Sequence, residues 1–409
     1  MTLRTSLIAA GLLVSSFAAA QYNFYTSTGF ASNSAPVAVS NTGVAVGAVS
    51  GSAWGLWNPA ASSAVTNIGG TTSVGSAGIS WDGKYVGASA NAADGKSEMA
   101  RYDVNGNAWT TMGGAGGYSG TSRSSGWNIS GDGSTVVGFG YGAYTGTSSG
   151  TFTGIDPMSH NASGTTLYNT IPNANSINRI NASNYDGTVL AGRMRYYSSG
   201  TNQADGAYYY SGGVAHGIMG SATDYYGEPK AVSGDGRYIG GNFNYFTATF
   251  NGSVETDHPY IYDTQTNSMT VLDSVAGING NTITSDQTWI EGFLTGMSAD
   301  GSKAVGYFRG NSPLYLNQTW GFIWQRGVGI QSIDTWAAAN GITGAGNTWL
   351  VPGAISADGN TIAGLQYTRT GYTTSGFMIT QAVPEPGTIA AIGLGFIAVA
   401  ARRRKARRN

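Results

Sequence analysis

Ser233-Gly234-Asp235-Gly236-Arg237-Tyr238-Ile239-Gly240 is the stretch on which the fold turns, because the chain repeats it. Close copies are Ser80-Trp81-Asp82-Gly83-Lys84-Tyr85-Val86-Gly87, Ser130-Gly131-Asp132-Gly133 to Gly138, Ser298-Ala299-Asp300-Gly301 to Gly306 and Ser356-Ala357-Asp358-Gly359 to Gly364. Two looser copies are Ser40-Asn41-Thr42-Gly43 to Gly47, with Thr for Asp, and Asn184-Tyr185-Asp186-Gly187 to Gly192, with Asn for Ser. The five close copies read Ser-x-Asp-Gly, then β-formers, then Gly. The turn glycines fall at 43, 83, 133, 187, 236, 301 and 359, a mean spacing of about 53 residues. Asp-Gly between β-rich flanks is a strong hairpin signal, and the expected turn is type I′, with positive φ at both central residues.

A second strand follows each copy: Ala53-Trp54-Gly55-Leu56-Trp57, Met99-Ala100-Arg101-Tyr102, Thr151-Phe152-Thr153-Gly154-Ile155, Ala207-Tyr208-Tyr209-Tyr210, Pro259-Tyr260-Ile261-Tyr262, Gly321-Phe322-Ile323-Trp324 and Gly376-Phe377-Met378-Ile379. Large side chains at every second position give a strand one buried face. Seven units of several short strands point to an all-β, seven-bladed β-propeller. A β-solenoid is the alternative, and the repeats are longer than one solenoid turn. The last copy runs out after Ile379-Thr380, so Tyr22 to Phe30 is left to complete the final blade. One helix is expected at Ile333 to Asn340, ended by Gly341.

Composition agrees with many tight turns. Of 409 residues, 64 are Gly, only 10 are Pro and 10% are charged, while 10 Trp, 24 Tyr and 13 Phe supply a core. No Cys is present, which excludes disulfides, thiolate metal sites and cysteine nucleophiles. The three His (His160, His216, His258) are far apart in sequence, so no local histidine metal motif exists and no cofactor is expected.

The two ends read as addresses. Arg4 precedes an apolar stretch from Leu7 to Phe17, and Ala18-Ala19-Ala20 before Gln21 is the small-x-small pattern of signal-peptidase cleavage. Residues 1–20 are therefore a signal peptide, 21–381 the repeat domain and 382–409 a tail. In the tail, Val383-Pro384-Glu385-Pro386 forms a stiff linker. An uncharged run follows, with a transmembrane helix expected over about 388–401. Behind it stand Arg402, Arg403, Arg404, Lys405, Arg407 and Arg408, which stay cytoplasmic by the positive-inside rule. That run is short for a lasting span, which suits a temporary anchor. Without the two ends, 13 basic and 20 acidic residues remain, a net charge of −7, so no nucleic-acid partner is expected.

The tail resembles the PEP-CTERM sorting signal of Gram-negative-type bacteria. The resemblance implies recognition by an exosortase, a membrane-embedded sorting enzyme, and delivery to the cell envelope, cell surface or extracellular matrix. The body resembles the HAF-type extracellular repeat through Val44-Ala45-Val46-Gly47, Trp54-Gly55-Leu56-Trp57 and Asn67-Ile68-Gly69-Gly70. The His-Ala-Phe triplet that names that family is replaced by Ser52-Ala53-Trp54. That family implies a surface-located repeat domain without assigned chemistry.

No catalytic residue stands out. An acid recurring in six units (Asp82, Asp132, Asp186, Asp235, Asp300, Asp358), each before its glycine, reads as a turn former rather than as one special catalytic group. No Asp-x-Asp-x-Asp loop marks a calcium site, and no Gly-x-Ser-x-Gly elbow precedes a helix. The tyrosines around Tyr196-Tyr197, Tyr208-Tyr209-Tyr210 and Tyr225-Tyr226 either pack between blades or stack on sugar rings. The expectation is a non-enzymatic structural or adhesive surface protein, with signal peptidase and exosortase as processing partners and a surface polysaccharide as possible ligand. The alternative is a polysaccharide-binding or -degrading propeller, a glycosidase or lyase. That would bring Arg and carboxylate groups together at the channel, with Arg193, Arg195, Arg237 and Arg309 as candidates.

Overall fold

The computed structural model describes residues 21–382, apart from 32–33, 74, 115–121, 146–150, 169–175, 198–202, 219–224, 250–251, 273, 277–281, 285–289, 311–318, 343–347 and 369–373. The expected signal residues Ala18 and Ala20, the motif Val383 to Pro386 and the basic cluster lie outside the described residues.

The repeats form seven four-stranded antiparallel sheets, the blades of a β-propeller. The first strand of each blade is innermost, and these seven strands neighbour one another around a closed ring: Pro36–Val39, Gly78–Ile79, Ser124–Ile129, Ser176–Ser183, Tyr225–Val232, Ile290–Met297 and Thr348–Ile355. Each runs into its Ser-x-Asp-Gly turn. The aromatic strands of the sequence are the third strands, among them Ala53–Trp57, Ser97–Asp103 and Thr319–Gln325.

Closure uses both ends of the chain. The seventh blade takes Thr348–Ile355, Thr361–Thr368 and Thr374–Gln381 from the end of the body, and Tyr22–Ser27 from its beginning as the outermost strand. Phe24 stacks on Phe377 across this joint, with centroids 6.1 Å apart and planes 9° from parallel.

The core is divided into layers between neighbouring blades, as period-two alternation requires. On the third strand of blade four, Tyr208 and Tyr210 pack with Val137 and Ile180 toward blade three, while Tyr209 packs with Phe243, Tyr260 and Tyr262 of blade five. All three tyrosines are buried, so they are packing residues. Trp57, Phe308, Phe322 and Phe377 fill equivalent layers. A two-stranded ribbon, Ser274–Ala276 with Thr282–Thr284, lies between blades five and six in sequence. The helix spans Ile333–Ala339 with Ile333, Trp336 and Ala337 buried, and Gly341 follows at φ 71°.

The inner strands carry a feature that the repeat pattern did not announce. In six of them the pairing skips the residue three before the turn Ser or Asn, a β-bulge at Val37, Trp127, Asn181, Lys230, Thr295 and Gly353. A bulge bends the strand and re-aims its side chains. It also explains the final Gly of the motif. A Cβ at Gly306 would lie 2.0 Å from the Phe293 carbonyl oxygen, and one at Gly364 2.2 Å from that of Val351. No side chain fits where the bent backbone comes so near.

Candidate functional site

The Ser-x-Asp-Gly turn is a four-residue loop held by its own side chains, not the type I′ turn expected. In the second blade the Gly83 N–H donates to the Ser80 carbonyl at 2.9 Å, and the Ser80 N–H donates to the Tyr85 carbonyl at 2.8 Å. The Tyr85 N–H donates to Ser80 Oγ at 3.0 Å, so a hydroxyl stands where the ladder would offer a carbonyl. That hydroxyl donates to Asp82 Oδ1 at 2.7 Å, which also accepts the Lys84 N–H at 3.1 Å. Only the glycine has positive φ, 76°. Asp82 keeps an ordinary backbone because its carboxylate does the turning, as an Asx turn. Asp132, Asp235, Asp300 and Asp358 repeat both contacts with Ser130, Ser233, Ser298 and Ser356. Asn184 replaces the hydroxyl with its amide oxygen, which accepts the Val189 N–H at 3.0 Å.

The residue between Ser and Asp links the blades. The N–H of Asn41 donates to the Trp81 carbonyl, Trp81 to Gly131, Gly131 to Asn184, Tyr185 to Gly234, Gly234 to Ala299 and Ala299 to Ala357, at 2.7 to 3.4 Å. The Asp358 N–H donates to Asn41 Oδ1 at 2.9 Å and closes the circle. The turns thus make a belt around one mouth of the channel.

Two large side chains stand in this belt. The Trp81 indole reaches across it, so close that a Cβ on Gly131 would lie 2.5 Å from the ring and one on Gly234 2.7 Å. The Tyr185 ring meets Trp81 at 4.8 Å between centroids, tilted by 49°. Tyr185 is 47% exposed.

Behind the belt the inner strands line a pocket of about 120 Å³ that opens to solvent. Its lining joins aliphatic side chains, including Val39, Ile79, Val232 and Ile355, to Asn128, Ser183, Lys230 and Thr295, and polar atoms make up most of the exposed wall. An ion cluster sits on the inner strands of blades four and five. Glu228 pairs with Arg179, and with Lys230 Nζ at 2.9 Å. Asn181 Nδ2 donates to Glu228 Oε1 at 3.0 Å, and Arg179 lies over the Trp127 ring at 4.0 Å. Burial alone pushes the Glu228 carboxyl up, but the charges of Lys230 and Arg179 and their hydrogen bonds bring it down from 4.5 to about 2.

Of the arginines singled out from sequence, Arg237 pairs with Asp263 at 2.7 Å and Arg309 with Glu291 at 2.5 Å, in separate blades. The residues that do converge, Arg179, Glu228 and Lys230, carry no motif. The histidines stay apart: His216 stacks on Tyr209, His258 on Phe243, and His160 meets Thr165. Among the described residues no group of three or more His, Asp or Glu is placed to hold a metal ion, and no helix is long and apolar enough to cross a membrane.

Residues 382–405 match the model of the PEP-CTERM protein-sorting motif. No curated protein sequence matches the chain. Among solved structures, the β-propeller domain of the trilobed protease from Pyrococcus furiosus is similar at 12% identity and a TM-score of 0.50, over 89% of this chain and 99% of that one. An oligogalacturonate lyase from Vibrio parahaemolyticus follows at 10% identity and 0.49, over 89% and 98%. TolB from Acinetobacter baumannii follows at 11% and 0.41, over 73% and 62%. At such identities the first likeness speaks for the propeller fold alone.

Proposed function

We infer that this chain is an exported binding propeller of the cell surface, processed through an exosortase-type enzyme and serving a structural or adhesive role in the envelope or exopolysaccharide matrix. The observation that carries this reading is the sorting motif at 382–405, which begins as the last strand, Thr374–Gln381, ends. The body then belongs on the outer side, as the HAF-type resemblance also implies, and signal peptidase removes residues 1–20. Binding is favoured over catalysis by the state of the channel. Glu228, the carboxylate nearest to a catalytic setting, is held ionised by two cations, and a group fixed near 2 is a poor general acid or base at neutral pH.

The test is intact mass with N- and C-terminal peptide mapping of the protein recovered from the surface and medium of its native host. The expected chain starts at Gln21 and ends between Pro384 and Gly387. A surface form that still carries Arg402 to Arg408 would overturn the sorting reading.

A further inference from the structure

The belt of turns holds one aromatic pair, and its neighbours in the ring explain how that pair is kept in place. The five belt positions other than 81 and 185 are Asn41, Gly131, Gly234, Ala299 and Ala357, and the indole of Trp81 lies on the two glycines. A tryptophan with a glycine floor on two other blades is fixed in position, and Tyr185 beside it presents nearly half of its surface to solvent. The inner strands below already have their own packing, so the exposed Tyr185 ring serves no core.

Two acidic residues occupy the same stretch of the belt, joined to Tyr185 through the backbone. The Asp132 N–H donates to the Tyr185 carbonyl at 2.8 Å, and Asp186 is the next residue after Tyr185. Asp132 and Asp186 repel each other across the gap between blades three and four. Both nevertheless stay ionised below the usual carboxylate range. For Asp132, burial pushes the group up, but hydrogen bonds from Ser130 and the Ser134 amide more than offset it. For Asp186, hydrogen bonds from Thr188 dominate. Among the described residues no Lys or Arg pairs with either. The cations of this face have other partners: Lys84 has Asp82, Arg237 has Asp263, Lys303 the Gly359 carbonyl and Arg326 the Gly301 carbonyl, and Arg101, the one beside Asp132, donates to the Gly133 carbonyl at 3.2 Å.

An aromatic pair on a belt that also carries Asp132 and Asp186, two mutually repelling carboxylates without an ion-pair partner among the described residues, fits a cation carried on a flat, partly apolar frame. Rings attract cations through their faces and the CH faces of sugars by stacking. We propose that the Trp81–Tyr185 mouth binds a protonated amino sugar, a hexosamine unit of a matrix polysaccharide, with the sugar face on the rings and the ammonium toward Asp132 and Asp186. The choice of a sugar over a basic peptide rests on the surface-matrix reading above, while the site itself does not. Uronic-acid polymers are disfavoured here, because their charge has the sign of the two carboxylates.

The experiment is calorimetric titration of the full chain in detergent with a fully deacetylated glucosamine tetramer, its N-acetylated counterpart and tetralysine. A mildly acidic pH keeps the sugar amines protonated and both carboxylates charged. The deacetylated tetramer is expected to bind at least tenfold tighter than the acetylated one, and more weakly as salt rises. Tyr185→Ala and the pair Asp132→Asn/Asp186→Asn should each weaken it fivefold or more. Asp300→Asn, the same turn role in another blade, should leave it unchanged, and thermal melts of all variants exclude unfolding as the cause. Equal binding of the two sugars would overturn the cation. Binding of tetralysine as tight as the sugar, with the same sensitivity to the variants, would overturn the sugar, and absence of binding by every probe would overturn the site. None of these outcomes depends on where the chain is processed, which the terminal mapping decides separately.

Discussion

On six of the seven inner strands the turn and the bulged position behind it lie only three residues apart, yet they behave oppositely. At the belt, Ser, Asp and Gly recur because each holds backbone: a hydroxyl in the ladder, a carboxylate on two donors, a glycine at positive φ. At the bulge, no two of Val37, Trp127, Asn181, Lys230, Thr295 and Gly353 are alike. The bulge's backbone bend does not depend on a side chain, so its residues are free to differ. The contrast teaches that in this propeller recurrence marks architecture, and departures from the repeat mark the places where chemistry is possible. Trp81, Tyr185, Arg179, Glu228 and Lys230 are all such departures.

The sharpest way to break the contrast is at Glu228. Glu228→Gln leaves Arg179 and Lys230 without their shared charge. It is expected to cost on the order of 3 kcal/mol in urea unfolding, close to the stability linked to a carboxyl lowered from 4.5 to about 2. Because the folded value is the lower one, this contribution is complete above pH 4.5 and is lost as pH falls from there toward 2. Wild type should therefore lose stability across that window, and Glu228→Gln should show a flatter acid profile; parallel profiles would contradict the pairing.

Next comes the belt itself. Ser298→Ala removes the acceptor of the Lys303 N–H and the donor to Asp300 in a buried position, for about 2 kcal/mol. Ser298→Asn, the residue that serves at position 184, should recover part of that loss in the same denaturation series. Equal losses for Ala and Asn would mean that the side-chain oxygen is not what holds the turn.

A smaller effect is expected at Gly131→Ala. The new methyl would lie 2.5 Å from the Trp81 ring and has to push the indole off its glycine seat, so stability should fall by about 1 kcal/mol. Tryptophan emission should change in the same variant. Last, Lys84→Ala breaks an exposed ion pair with Asp82 and should leave the melting temperature unchanged, since Asp82 keeps its bonds to Ser80 and the turn amide.

Much of this architecture was legible in advance. The seven turns, the aromatic third strands and the use of Tyr22 onward to complete the last blade follow from repetition and period-two alternation, and the short helix from the glycine that ends it. The type I′ turn was misread because Asp-Gly reports a hairpin without reporting which residues are paired. Here Ser80 and Tyr85 are the closing pair, and the loop between them is four residues long. The channel cluster was illegible for a different reason. Arg179 and Glu228 are 49 residues apart and meet only because neighbouring inner strands stand side by side. The signal for Trp81 and Tyr185 was present in the aligned repeats, as two aromatics in a column of Asn, Gly and Ala.

The most direct test of the closed belt is hydrogen exchange, followed by mass spectrometry, on peptides that cover the seven turns. Amides of exposed loops ordinarily exchange through local opening, whereas core strands wait for global unfolding. The expected result is that peptides around Asn41, Trp81, Gly131, Tyr185, Gly234, Ala299 and Ala357 exchange as slowly as the inner strands, including the joint between Asp358 and Asn41. Turn peptides that exchange as fast as ordinary loops, or a 357–359 segment that opens ahead of the other six, would contradict a ring of turns closed on itself.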